Sequence, residues 1–140
     1  MKSLAQASLE YMIMLALSLG IFAAILYVVS SLITSSSLQI GVDAALRASN
    51  RMREAVDFIY VHGHPSKTRI NVYIPPNIED VSIVDNKTIN VRISIKNSYT
   101  DIYEIAKGTI VGDISSMQRE GYYLVSVESN ADNSINMTVI

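Results

Sequence analysis

The sequence has no cysteine, no tryptophan and only three prolines in 140 residues, and not one charged side chain falls between Tyr11 and Val42. Each absence excludes something. Without cysteine there is no disulfide staple, no thiolate metal site and no cysteine nucleophile. The earliest proline is Pro65, so nothing before it forces a helix to break. A net charge of −2 and a pI near 5.6 supply no basic field for nucleic acid. Glycine-rich phosphate loops, nucleophile elbows and metalloprotease patterns are also missing from the sequence. Neither catalysis nor a cofactor is therefore expected.

What is present begins with a long apolar run. LEYMIMLALSLGIFAAILYVVSSLI carries Glu10 as its single charge. About 20 apolar residues suffice to cross a bilayer, and a helix apolar on every side must be buried in lipid or in protein. The chain after Val42 is too short to wrap it. The run is too long for the core of a secretory signal, and no small-residue cleavage site follows it cleanly. Membrane insertion, or burial against copies of the same chain, is the expectation. Ala16, Gly20 and Ala24 recur every four residues, a small-residue stripe that lets helices approach closely, although Ala and Gly are common in such helices anyway. Lys2 precedes the run, whereas Arg47, Arg51 and Arg53 follow it among Asp43, Glu54 and Asp57. Taken alone, the positive-inside rule leans weakly towards a cytoplasmic carboxyl side.

The helical pattern continues past the apolar run. Leu38, Val42, Ala45, Ser49, Met52, Val56 and Ile59 form one stripe at steps of three and four, while Asp43, Arg47, Asn50, Glu54 and Asp57 form another. Asp43 with Arg47, and Arg53 with Asp57, have the spacing of supporting ion pairs. Gly63 and Pro65 make a stop. One helix is predicted from near Gln6 to about Tyr60, roughly 80 Å at ~1.5 Å per residue.

The remainder alternates like strands. Ile70, Val72 and Ile74 alternate with Arg69, Asn71 and Tyr73. Ile89, Val91, Ile93 and Ile95, expected inside, alternate with Asn90, Arg92, Ser94 and Lys96, expected outside. Asp85-Asn86-Lys87 suits a hairpin turn. Tyr123, Val125 and Val127 alternate with Leu124, Ser126 and Glu128, and Ile135, Met137 and Val139 with Asn136 and Thr138. Such alternation predicts antiparallel strands with one buried face. Between Tyr99 and Gly121 the pattern is weaker, with Ser115 and Gln118 placed to cap a single turn. The expected fold is α+β: a long N-terminal hydrophobic helix whose distal half packs on a small antiparallel β head. The segments are 1–5, a leader once the motif below is considered; 6–37, the hydrophobic helix; 38–64, its amphipathic continuation; and 65–140, the head.

Few residues suggest chemistry. His62 and His64 lie in a Gly/Pro turn, and a third metal ligand would have to be Asp57 or a distant carboxylate, so a surface turn is the simpler reading and no metal is expected. Tyr122-Tyr123 reads as one exposed and one buried strand residue rather than a carbohydrate platform. Asn86-Lys87-Thr88 and Asn136-Met137-Thr138 are candidate N-glycosylation triplets, one on the turn and one on the polar face of the last strand, both where a glycan would be tolerated; such triplets also arise by chance.

Gln6-Ala7-Ser8-Leu9-Glu10, standing immediately before the apolar run, resembles the Gln-x-Ser-x-Glu processing motif of archaeal type IV pilin-like proteins with a class III signal peptide. AVDFIYVHGHPSKTRINVYIPP is similar to the helix-to-head junction of that family. The family pattern favours Leu where Met14 stands. The resemblance implies cleavage by a prepilin peptidase between Ala5 and Gln6, and storage in membrane lipid with the head outside. It also implies polymerisation with copies of itself by pilus assembly machinery into an extracellular adhesive filament. In such a filament Glu10 is implied to meet the amine of Gln6 on a neighbouring subunit. Considered without the motif, Glu10 is a first-turn carboxylate favoured by the helix dipole. A membrane-tethered binding domain that never polymerises is the alternative reading.

Overall fold

The computed structural model describes residues 2–95 and 98–140, with side chains described from residue 8 onward. It contains one helix, α1 (Lys2–His62), followed by seven strands: β1 (Lys67–Ile74), β2 (Ile78–Val84), β3 (Thr88–Ile95), β4 (Ser98–Ile105), β5 (Ile110–Asp113), β6 (Gly121–Ser129) and β7 (Ile135–Val139). The chain divides into two compact units, Met1–Leu38 and Gln39–Ile140. The fold is α+β, as the alternation and helical periodicity predict.

The first unit is helix alone. Every residue from 8 to 37 is exposed, including Leu15, Ile21, Phe22 and Leu26. Two of its hydroxyls turn back on the backbone: Ser18 Oγ donates to Met14 O at 2.5 Å and Thr34 Oγ1 to Ser30 O at 3.0 Å. Bonds of this kind satisfy a polar side chain without water.

In the second unit, residues 39–62 of α1 bring the predicted stripe to the core. Ala45, Ser49, Met52, Val56 and Ile59 are fully buried, and Val42 is half-buried against them. Ala48 and Ala55 are buried as well, widening the apolar band beyond the stripe read from spacing. The stripe packs in one cluster with Val72 and Ile74 of β1, Val81 of β2, Ile89, Val91 and Ile93 of β3, Val125 and Val127 of β6, and Met137 of β7. Burying each such side chain contributes roughly 1.5–3 kcal/mol.

Two sheets make up the head. One has the order β1-β6-β7-β5, the other β2-β3-β4. Among the described residues the pairings are antiparallel, as expected, except β5 with β7, which is parallel. The β2–β3 hairpin closes where Asp85-Asn86-Lys87 predicts it. Asp85 and Asn86 adopt φ of 52° and 54°, and Lys87 N donates to Val84 O at 3.2 Å, the geometry of a tight turn with both central residues left-handed.

Several details differ from the sequence reading. Asn90, expected outside, is 6% exposed. It sits on the central strand β3, flanked on both sides by Ser82 of β2 and Tyr103 of β4. Ser126 on β6, an interior strand, is buried as well, flanked by Arg69 and Thr138. Arg92 and Ser94 are half-buried rather than open, and Lys96 lies outside the described residues. The segment from Tyr99 holds most of β4 and all of β5. The turn after β5 is capped by Asp113, whose Oδ1 accepts from Ser115 N at 2.8 Å, and not by Ser115.

Candidate functional site

The apolar helix carries the sequence-derived site. Leu9, Tyr11, Met12, Ile13 and Met14 surround Glu10, all at least half exposed, and Glu10 is exposed with them. A carboxylate in such a collar is stable in water or at an interface, and in an apolar medium it needs a cation. Ala16, Gly20 and Ala24 are exposed on the same helix, and a Cβ added at Gly20 would meet nothing within 4 Å. The side chains of Ala5 and Gln6, the expected processing residues and the partner of Glu10, lie outside the described residues. Within α1 a segment near the N-terminus is long and apolar enough to cross a membrane.

The remaining candidates resolve into structural roles. His64 Nδ1 lies 2.9 Å from Ser129 O and His62 Nδ1 2.8 Å from Phe58 O, so each ring nitrogen donates to a carbonyl. Asp57 faces elsewhere: its Oδ1 accepts from Lys107 N at 2.8 Å and its Oδ2 from Arg53 at 3.1 Å. Arg53 also reaches Glu104 on β4 at 3.2 Å. This clamp holds the β4–β5 connection against α1, and spacing along the helix announced only its Arg53–Asp57 half. Tyr122 is exposed, while Tyr123 is half-buried against the core with its hydroxyl donating to Arg119 O at 3.0 Å.

The two glycosylation candidates part company. Asn86 is exposed on its turn. Asn136 is half-buried on β7, an interior strand, and its Nδ2 donates to Glu128 Oε1 at 3.4 Å. Glycan attachment at Asn136 requires breaking that contact; at Asn86 it does not.

The outer face of the three-stranded sheet carries an ordered polar network. Arg92 donates from Nε and Nη2 to both oxygens of Asp101, at 2.7 and 3.0 Å, and its guanidinium lies 4.4 Å from the Tyr99 ring centre. The Asp101 carboxyl is held below the usual carboxylate range by that arginine first, and then by Tyr103. Fork-shaped arginine–carboxylate pairing fixes geometry as well as charge.

No model of a known protein family matches the chain, no curated protein matches it, and no solved structure matches its fold.

Proposed function

We propose that the chain is the structural subunit of an extracellular type IV pilus-like filament, held in the membrane by residues 6–37 before assembly and serving surface adhesion. One observation carries the reading: residues 11–37, directly after the Gln-x-Ser-x-Glu motif, are uncharged and exposed throughout, with large apolar side chains on every side. Such a surface is stable in lipid or among like helices. Moving from lipid to protein yields little hydrophobic free energy, so close packing must favour assembled helices. The stripe of Ala16, Gly20 and Ala24 suits that contact. Cleavage between Ala5 and Gln6 frees an amine at Gln6, and Glu10 of the adjacent subunit pairs with it, setting the register between helices.

The test is filament yield in the fraction sheared from cells, with membrane-fraction protein as the control and electron micrographs of the purified material. Wild-type chain is expected as thin filaments. Glu10→Gln is expected to insert and fold normally but to lose assembly, since removing one partner of a buried charge pair costs ~3–5 kcal/mol. Wild-type yield from Glu10→Gln would sink the pairing. Absence of filaments, with all protein retained in the membrane, would leave a tethered domain instead.

A further inference from the structure

A cleft of about 860 Å³ opens in the head beside the last turn of α1. Its size falls in the range of small-ligand sites. Residues from four separate segments line it: Tyr60 of α1, Lys87 of the β2–β3 turn, Lys107 of the β4–β5 connection, and Asp132 and Asn133 of the β6–β7 turn. Ile135 is also in the lining.

The walls are tied in place. Lys107 N donates to Asp57 Oδ1 at 2.8 Å, Ala106 N to Lys87 O at 2.9 Å and Ile110 N to Asn86 O at 2.6 Å. On the other side, Asp132 Oδ1 accepts from Ser134 N at 3.0 Å and from Ser134 Oγ at 2.6 Å. Tyr60 is half exposed, and its ring is seated against Gly108. A Cβ there would stand 3.1 Å from Tyr60 Cδ2 and 2.5 Å from Ile135 Cδ1. The result is a half-exposed aromatic side chain lining a cleft whose walls are tied together by hydrogen bonds.

The charges favour an anion. Lys87 and Lys107 are exposed and form no salt bridge among the described residues. Opposing them are the carbonyl end of α1, worth about half a negative charge, and Asp132, whose carboxylate accepts from Ser134; Asp57 beside Lys107 is offset by its ion pair with Arg53. Two ammonium groups outweigh these. An aromatic body beside mixed donors and acceptors suits a sugar ring, and the lysines suit a carboxylate upon it.

We propose that this cleft binds a carboxylated sugar unit, a uronic acid residue of an acidic polysaccharide. Tyr60 packs on the ring, Lys87 and Lys107 hold the carboxylate, and Asn133 hydrogen-bonds the hydroxyls. The inference deepens the adhesive reading above and rests on the head facing outward, but its test needs no filament.

Trigalacturonate is titrated by calorimetry into the full chain in detergent micelles, with galactotriose and inorganic phosphate as comparators. Saturable binding of trigalacturonate is expected. Lys87→Gln and Lys107→Gln are each expected to weaken it about tenfold, as loss of one charge-assisted hydrogen bond would, without moving the head's Tm. Tyr60→Ala is expected to weaken it too; if that variant melts early, the two lysine variants decide. No saturable heat, unchanged affinity in both lysine variants, or equal binding of galactotriose or phosphate would each overturn the proposal. Loss of filaments with binding intact overturns only the assembly reading, and the converse overturns only this one.

Discussion

Residues 8–37 and residues 39–62 belong to one helix, yet they solve opposite problems. The first stretch has no covered apolar side chain and is wholly exposed; the second has one apolar band and buries it from Ala45 to Ile59. In the second stretch the opposite face is charged, and Arg53 and Asp57 on it clamp the β4–β5 connection. In the first there is no polar face, and the two hydroxyls bonded within it look inward. The difference is between a helix finished by its own chain and one that requires lipid or other helices. A sequence declares the second condition by width of apolar surface rather than by apolar content.

The sharpest way to break this comparison is to truncate a large side chain in each stretch. Met52→Ala removes a fully buried side chain and is expected to destabilise the head by ~2–5 kcal/mol. Leu17→Ala, exposed at 61%, is expected to leave head stability within ~0.5 kcal/mol. Urea midpoints followed by tyrosine near-UV dichroism of the full chain in micelles give both values. Similar losses from the two variants would mean that the first stretch also packs on the head.

Glycines give a second, smaller contrast. Gly112 adopts φ 118°, and a Cβ there would run into the Met137 backbone oxygen. Gly112→Ala should therefore cost ~1–3 kcal/mol of head stability through backbone strain. Gly20 has open space around it, so Gly20→Ala should leave the head's urea midpoint unchanged. If the assembly reading holds, Gly20→Ala should instead lower filament yield by crowding the helix contact.

What was legible in the sequence follows the strength of each physical signal. The buried stripe of α1 repeats over several turns, so its face could be read in advance residue by residue. The β2–β3 hairpin was readable because Asp85 and Asn86 are residues that tolerate left-handed backbone. β4 was not: it is an edge strand with only Ile102 buried, so it shows no alternation. β5 has only four residues, and nothing local states that it pairs in parallel with β7. Alternation also gives a face but not a depth, which is why Asn90 and Ser126 were placed outside. At the candidate site the motif around Gln6 and Glu10 was legible, being contiguous. The Tyr60 cleft was not, because its lining comes from four distant segments.

Depth on a polar face can itself be tested. Ser126 Oγ is buried without a hydrogen-bond partner among the described residues. An unmade buried bond is a cost to the fold, so Ser126→Ala is expected to be neutral or to stabilise the head by up to ~1 kcal/mol. The midpoint of urea unfolding reads it. A loss above that size would mean that Ser126 has a partner after all, such as an ordered water.

The smallest effect per group is electrostatic, and it too is confined to the head. Four carboxylates there titrate below their ordinary range: Asp101 through Arg92, Asp113 through the Ser115 backbone, Glu128 through Lys67, and Asp132 through Ser134. A carboxyl whose folded pKa is depressed binds its proton less readily when folded than when unfolded. Its contribution is therefore complete above the unfolded value, about 4, and is lost as pH falls through the folded values. Asp113 and Asp132 are exposed, and Asp101 and Glu128 half-buried, so screening keeps each contribution small, and the sum emerges only in acid. Head Tm is expected to be flat between about pH 5 and 7 with respect to these groups and to fall progressively below about pH 4. Asp101→Asn should lower the plateau and flatten the acid slope, because one of the four linkages is gone. Residues 11–42 contain no titrating carboxylate at all, so helical content measured in micelles should retain their share while the head melts. An acid transition in which both disappear together would show that the two stretches of α1 depend on each other for folding.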